Sequence, residues 1–230
     1  MTPYYDDGRV TIYHGDAREI LPLSDAADLL LTDPPYGVSW KSGRGQHEVL
    51  KGDDGSLLIE TWLPAALRSI RRGRHAYVFG LDRRDVPADA PMCGFADLVW
   101  DKAVMGLGDI ESPWGPQHET ILFGVQEISK ANREKNYGVT AARLRKGSVL
   151  RFQRPHSSQT LRHPTEKPVD LMRVLIESSS TFGETVLDPF CGVGSTLVAA
   201  VLEGRKGIGI EIEERYCEVA ARRLSQAVVA

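Results

Sequence analysis

Residues 185–196 read TVLDPFCGVGST, and this stretch decides the fold. Its first residues, Thr185–Leu187, form a short β-branched and apolar run, which is typical of a buried parallel strand. Gly192 and Gly194 let the backbone turn tightly, and Ser195-Thr196 then opens a helix. Ligands of open α/β sheets bind where such strands end. The stretch therefore predicts a doubly wound α/β sheet with a ligand-binding loop at one edge.

A second turn of the same kind lies near the N-terminus. The run Asp28–Leu31 predicts another buried strand, and Asp33-Pro34-Pro35-Tyr36 follows it directly. Both loops should lie at the same edge of the sheet, because the carboxyl ends of parallel strands share one edge. An acid and an aromatic residue beside a glycine-rich loop indicate a cofactor pocket next to a reaction site.

Strand and helix patterns alternate along the rest of the chain and favour a three-layer, mostly parallel sheet in a single domain over residues 1–230. Residues 125–162 are polar, basic and weakly periodic, which predicts an inserted recognition segment. The strands are predicted at Val10–His14, Asp28–Thr32, His75–Phe79, Asp97–Trp100, Thr120–Gly124, Thr185–Asp188 and Lys206–Ile210. The helices are predicted at Ser56–Arg72, Pro168–Ser178, Ser195–Glu203 and Glu213–Ala227.

Composition indicates a globular cytoplasmic protein. No apolar run reaches the length of a membrane span, and the N-terminus lacks the features of a signal peptide. The three cysteines are scattered, which predicts reduced thiols and no metal site.

Charge is distributed unevenly although the net charge is only −3. Residues 130–167 contain ten Lys and Arg but two acids, so the remainder is acidic. This segregation permits one basic face to meet phosphates, and a solvated basic loop is the alternative. The candidates to bind phosphates are the basic residues of a stretch that contains no acid, namely Arg143, Arg145, Lys146, Arg151 and Arg154.

Both turns resemble motifs of S-adenosylmethionine-dependent DNA methyltransferases that act on exocyclic amino groups. Asp33–Tyr36 is similar to the catalytic motif of that family, and Asp188–Thr196 to its cofactor loop. The catalytic motif comes first, as in the beta group of adenine-N6 and cytosine-N4 enzymes. The resemblance implies a Rossmann-like fold with seven strands, one antiparallel near the edge. It also implies S-adenosyl-L-methionine as cofactor and double-stranded DNA as partner.

The catalytic candidates are Asp33, Pro34, Pro35 and Tyr36. An exocyclic amine is a poor nucleophile because its lone pair is delocalised into the ring. Hydrogen bonds to the Asp33 carboxylate and the Pro34 carbonyl would favour a pyramidal, attacking nitrogen. Two prolines restrict the backbone that carries these acceptors, and Tyr36 can stack on a base taken out of the duplex.

Cofactor-binding candidates lie at several strand ends. Glu211 follows the glycine loop at the next strand tip, where an acid usually binds ribose hydroxyls. The helix opened by Ser195 attracts the cofactor's carboxylate. The resemblance implies that Thr165 and Lys167 contact the methionine end and that Asp16 and Ala17 flank the adenine. The full set is Asp16, Ala17, Asp33, Thr165, Lys167, Asp188, Phe190, Gly192, Gly194, Ser195, Thr196 and Glu211.

Two further segments, Trp100-Asp101-Lys102 and His118-Glu119, also resemble parts of the family. We interpret them as a core tryptophan with surface charges.

Several alternatives remain open at this stage. Asp at the first motif position favours adenine-N6 over cytosine-N4 methylation as a family tendency. A second alternative is a non-catalytic DNA-binding module, which would have the same fold but would transfer no methyl group. A nicotinamide oxidoreductase would require a third spaced glycine, where Leu197 stands. The short recognition segment predicts either a short target or help from a second copy in a homodimer.

Overall fold

The computed structural model describes residues 2–24, 26–35, 57–105, 113–127, 146–154 and 166–227. In these ranges the strands are β1 (Tyr5–Asp6), β2 (Val10–His14), β3 (Ala27–Thr32), β4 (Ile70–Phe79), β5 (Met92–Asp101), β6 (His118–Gln126), β7 (Val149–Arg151), β8 (Thr185–Asp188) and β9 (Lys206–Glu211). The helices are α1 (Ala17–Ile20), α2 (Leu63–Arg68), α3 (Val169–Ser179), α4 (Ser195–Leu202) and α5 (Glu214–Ala227), with 3-10 turns at Ile59–Thr61 and Arg83–Asp85. No helix among the described residues combines the length and apolar character of a membrane span.

All described strands join one sheet in the order β1-β2-β9-β8-β3-β4-β6-β5-β7. Strands β2, β9, β8, β3 and β4 are parallel neighbours, and β6 is antiparallel to both β4 and β5. The seven strands from β2 to β5 confirm the arrangement that the resemblance implies, and short β1 and β7 extend it at both ends. We call the edge where the parallel strands end the carboxyl edge; β6 begins there.

The central strand β3 explains why its leucine run has no alternation. Leu29 and Leu31 pack on one face of the sheet with residues of α3 and α4, whereas Leu30 packs on the other face with residues of α2. A strand covered by helices on both faces must be apolar at every position. The three-layer α/β prediction is therefore confirmed.

The helix predicted at Ser56–Arg72 is wrong in its extent. Helix α2 covers only Leu63–Arg68, and the chain enters β4 at Ile70, which pairs with Ala27 of β3. Gly73, directly after the predicted helix, lies inside β4 with a φ of 78°. The pairing register shifts there, so that Leu29 faces His75. A glycine in the left-handed region permits this irregular strand, which periodicity alone reads as helix.

The predicted recognition segment, 125–162, is described only in part. Its first two residues complete β6, and Val149–Arg151 form β7 beside β5. Its role in recognition stays a prediction.

Candidate functional site

The two loops identified from the sequence follow neighbouring strands. Strands β3 and β8 pair in parallel, with Leu30 opposite Leu187. Thr32, the last residue of β3, donates from Oγ1 to Oδ1 of Asp188 at 2.8 Å. The Asp33 loop and the glycine loop therefore begin side by side at the carboxyl edge.

Asp188 lies inside the protein rather than facing an open pocket. Its Oδ1 also accepts from the backbone N–H of Phe190 at 3.2 Å, and Thr196 provides a further side-chain hydrogen bond. Burial raises the pKa of the Asp188 carboxyl to about 6, although the bonds from Thr196 and Thr32 oppose the rise. Asp188 thus accepts hydrogen bonds from the end of β3 and from two positions of the glycine loop, which hold the start of that loop in place.

The glycine loop leads into α4 at a tight angle. Gly194 precedes the helix with a φ of 80°, and a Cβ there would lie 2.9 Å from Cβ of Ala220 in α5. Gly192 has a φ of 50°, with open space where a Cβ would stand. Gly194 is thus required for helix packing, whereas Gly192 leaves the loop surface clear.

Glu211 ends β9 next to this loop. Its carboxylate accepts from the backbone N–H groups of Gly192 at 2.9 Å and Glu213 at 2.8 Å. Burial raises the pKa of the Glu211 carboxyl to about 7 despite these two bonds. Each oxygen retains a second lone pair, so the group can accept further hydrogen bonds.

Asp16 and Ala17 are held close to Glu211 because Gly15 donates its N–H to the Glu211 carbonyl at 2.9 Å. Asp16 caps α1, accepting from Arg18 N at 2.8 Å, and its carboxylate also pairs with the Arg18 guanidinium. The Arg18 hydrogen bond lowers the pKa of Asp16, which keeps it ionised.

A buried charge cluster links Asp33 to residues outside both motifs. Lys167 Nζ lies 2.6 Å from Asp33 Oδ2 and 3.2 Å from Glu119 Oε2, and Lys102 Nζ lies 2.7 Å from Glu119 Oε1. The lysine side chains are only 6% and 4% exposed. We call Asp33, Lys167, Glu119 and Lys102 the charge cluster.

The prediction of surface charges is wrong for Asp101 and Lys102, which are buried, and correct for His118, which is exposed, whereas Glu119 is half-buried. Trp100 does lie in the core. Strand register explains the error, because Glu119 at the start of β6 pairs with Trp100 near the end of β5. Lys102 and Glu119 consequently lie at the carboxyl edge and are linked to Asp33 through Lys167. The available signal was the pair of charged residues that directly follows Trp100, namely Asp101 and Lys102. The order of the strands, which the sequence does not show, brings Lys102 and Glu119 towards Asp33.

A second buried pair fastens the segment before α3 to the glycine loop. Arg223 of α5 pairs with Glu166 at 2.8 Å and donates to the carbonyl of Val193 at 2.8 Å and to Ser195 Oγ at 3.2 Å. Arg223 and Glu166 were absent from the sequence-based site. Arg223 lies nearly at the end of the chain, where no motif marks it.

The basic candidates do not lie together. Arg151 is the last residue of β7 and donates to Asp101 at 2.7 Å, and Arg154 lies 3.9 Å from Glu119. Lys146 precedes β7 at the opposite edge and pairs with Glu177 of α3 at 2.7 Å. Arg143, Arg145, Tyr36 and Thr165 lie outside the described residues.

Comparison with known proteins identifies the family of this chain. Residues 27–222 match the DNA methylase family N6_N4_Mtase. The type II methyltransferase M2.MboI of Moraxella bovis is 45% identical, covering 97% of this chain and 91% of its own length. The putative methylase YubD of Escherichia coli is 31% identical, covering 92% and 88%.

Solved structures share the fold. TTHA0409 of Thermus thermophilus, a putative DNA modification methylase complexed with S-adenosyl-L-methionine, superposes with a TM-score of 0.65 at 23% identity, over 96% of this chain and 94% of its own. The cytosine-N4-specific PvuII DNA methyltransferase superposes with a TM-score of 0.67 at 17% identity, over 96% of this chain and 88% of its own. The family match includes both loops and the charge cluster, and the chain therefore belongs to the N6/N4 DNA methylase family.

Proposed function

We propose that this protein transfers a methyl group from S-adenosyl-L-methionine to the exocyclic N6 of adenine in double-stranded DNA. The observation that carries the proposal is the position of Asp33. Its carboxylate lies at the carboxyl edge and is 18% exposed. The preceding residue, Thr32, is hydrogen-bonded to Asp188 at the start of the glycine loop. A hydrogen-bond acceptor for the target amine thus lies beside a loop suited to the methyl donor.

The glycine loop and its neighbours fit this cofactor. Open space above Gly192 admits a ligand close to the backbone. Glu211 would accept from the ribose hydroxyls, and the first N–H groups of α4 would bind the methionine carboxylate. Asp16 would accept from the adenine amino group, and Phe190, whose ring meets Trp62 edge-on at 5.0 Å, would border the base. When bound, S-adenosyl-L-methionine supplies a methyl group activated by its sulfonium.

Asp33 and Pro34 orient the target nitrogen. The amine donates one N–H to the Asp33 carboxylate and the other to the Pro34 carbonyl, and its lone pair then points away from both acceptors. Pro34 is buried and Pro35 half-buried, so the backbone carrying these acceptors is held in place. Tyr36 would stack on the extruded base, as base-flipping enzymes require.

Adenine is favoured over cytosine by the carboxylate at position 33, following the family tendency stated above. DNA binding is assigned to Arg151 and Arg154, which are mostly exposed near the carboxyl edge. Lys146 is not included because it pairs with Glu177 at the other edge.

Mass analysis of nucleosides tests the proposal. Duplex DNA is incubated with the purified protein and methyl-labelled S-adenosyl-L-methionine, and the digested nucleosides are then separated. N6-methyladenine supports the proposal, and N4-methylcytosine identifies the other activity of the family. Unmodified DNA together with cofactor binding would instead indicate a non-catalytic DNA-binding module.

A further inference from the structure

We propose that Lys167 is a positioning residue for Asp33 rather than a contact for the cofactor, and that Glu119 and Lys102 hold Lys167 in that place. The inference rests on the proposed function and names a further part of its site. It assigns Lys167, predicted from the sequence to bind the methionine end of the cofactor, to the catalytic loop.

The first argument is distance. The ammonium of Lys167 lies 2.6 Å from Asp33 Oδ2, which is a short charge-assisted hydrogen bond, and 3.2 Å from Glu119 Oε2. Lys167 is therefore engaged by two carboxylates. When Lys167 holds Oδ2 of Asp33, the direction of Oδ1 is fixed as well. A fixed direction is what an acceptor needs in order to orient a substrate amine.

The second argument is burial. Lys167 Nζ lies over the ring of Phe79 at 5.3 Å from its centroid and over that of Trp100 at 5.9 Å, and Lys102 lies over Trp100 at 5.4 Å. Phe79 and Trp100 are buried core residues from the ends of β4 and β5. An ammonium enclosed in this manner has few rotamers open to it, so the charge cluster is a preorganised structure and not a surface ion pair.

The protonation states agree with this role. Burial alone would lower the pKa of the Lys167 ammonium, but the charges of Asp33 and Glu119 outweigh it and the pKa lies above its ordinary value. Burial alone would raise the pKa of Glu119, but the charges of Lys167 and Lys102 outweigh it, and the pKa lies below its ordinary value. Lys102 differs, since its burial keeps the pKa below its usual range despite Glu119.

Charged groups near Asp33 come from several elements. Among the described residues, Lys167 before α3 contacts Asp33, and Asp188 in β8 interacts with it electrostatically. Glu119 in β6 contacts Lys167, and Lys102 after β5 and Arg154 after β7 lie next to Glu119. Lys167 provides a cation in direct contact with Asp33. Its removal leaves a half-buried carboxylate near Asp188 without that cation, and such a carboxylate keeps its proton to higher pH.

Two variants test the inference, because only one of them should move the acid limb of the kcat–pH profile. In Lys167→Met, we expect the acid limb of the kcat–pH profile to move up by about one pH unit or more, as expected when a contacting cation is lost. Activity lost at pH 7 should then be partly restored at pH 9. In Glu119→Gln, a negative charge is removed while Lys167 remains, so kcat should fall without any upward movement of the limb.

Cofactor affinity separates the two roles of Lys167. Calorimetry should give a dissociation constant for S-adenosyl-L-methionine within about threefold of the parent in Lys167→Met, whereas a lost carboxylate contact would weaken binding by about tenfold or more. The matched control is Lys206→Met, the same change at an exposed lysine where β9 begins, at the opposite edge. It should alter none of these quantities. Tenfold weaker cofactor binding with an unmoved acid limb would overturn the inference.

A measurement without turnover keeps the test independent of the proposed function. Carboxyl-labelled aspartate is followed by NMR, and the Asp33 signal is assigned by its absence in Asp33→Asn. The signal should titrate at higher pH in Lys167→Met than in the parent. If the Asp33 signal titrates at the same pH in both proteins, the positioning role is overturned. If the two titrations differ but the parent transfers no methyl group, only the proposed activity is overturned.

Discussion

Thr32 Oγ1 donates to Asp188 Oδ1 at 2.8 Å, and this bond connects the ends of the two central strands. Asp33 follows the donor directly, and the glycine loop follows the acceptor. This buried hydrogen bond therefore fixes the starting points of the two loops relative to each other.

Thr32→Val should destabilise the protein by about 1–3 kcal/mol, because the variant leaves a buried carboxylate with one donor fewer. The loss should be larger at pH 8 than at pH 5. The pKa of Asp188 is about 6, so the group is ionised at pH 8, and hydrogen bonds to an ionised group are the stronger ones. Denaturant unfolding at both pH values measures the difference; equal losses would show that the bond does not depend on the charge.

Asp33→Asn should reduce kcat by about 10²–10³ or more, which is the usual cost of removing one preorganised transition-state contact. Cofactor affinity should change little, because Glu211 and the α4 terminus are untouched. Radiolabelled methyl transfer and calorimetry give the two quantities. A variant with the parent's kcat would remove Asp33 from the catalytic role.

Affinity for S-adenosyl-L-methionine should fall as the pH drops below about 7, since the pKa of Glu211 is about 7 and only its ionised form accepts from both ribose hydroxyls. The fall approaches about tenfold per pH unit well below this value. Glu211→Gln should bind more weakly at pH 8 and lose the dependence. Glu214→Gln, an exposed change in the first turn of α5, is the control and should retain it.

Stability of the free protein should show the opposite trend from the same carboxyl. Its pKa is raised from 4.5 to about 7 on folding, so its stabilising contribution is present below pH 4.5 and is lost as the pH rises through 7. Glu211→Gln should therefore be more stable than the parent at pH 8 in the absence of cofactor. Denaturant unfolding at pH 5 and pH 8 checks this, and a variant less stable at pH 8 would contradict it.

Arg223→Met should weaken cofactor binding several-fold, because Arg223 joins Glu166 to the Val193 carbonyl of the glycine loop. The free energy of unfolding should also fall, by about 3–5 kcal/mol for a broken buried ion pair. Arg222→Met is a matched control, since this neighbouring arginine is exposed and pairs with the equally exposed Glu218. If both variants behave alike, the link through Arg223 has no influence on the loop.

Replacing Arg151 and Arg154 by Gln should weaken duplex binding and reduce its salt dependence. Each lost phosphate contact lowers the log–log slope by about 0.9. Lys146→Gln should leave the slope unchanged, since Lys146 lies at the opposite edge beside Glu177. Fluorescence anisotropy titrations at several salt concentrations measure the slopes. An equal effect of Lys146→Gln would require a DNA face that extends around the sheet.

Local signals in the sequence were sufficient for the framework of this protein. The apolar runs before Asp33 and Asp188 identified two buried strands, and the glycine pattern identified the start of α4. These features depend on residues close in the chain, for which periodicity and turn chemistry are direct consequences of the backbone. The same signals failed at 56–72, where a pairing with Ala27 far along the chain overrides helical spacing.

The sequence by itself therefore determined the fold class and the two loops, because each depends on a contiguous motif. It also predicts Asp33 as the acceptor, and that role stays a prediction. Only the tertiary structure decided what surrounds Asp33. Lys102, Glu119 and Lys167 are distant in sequence and meet because β6 runs antiparallel between β4 and β5, which brings its first residues to the edge where the others end. Whether a charge lies in water or in a buried cluster depends on such pairing, and local sequence does not contain that information.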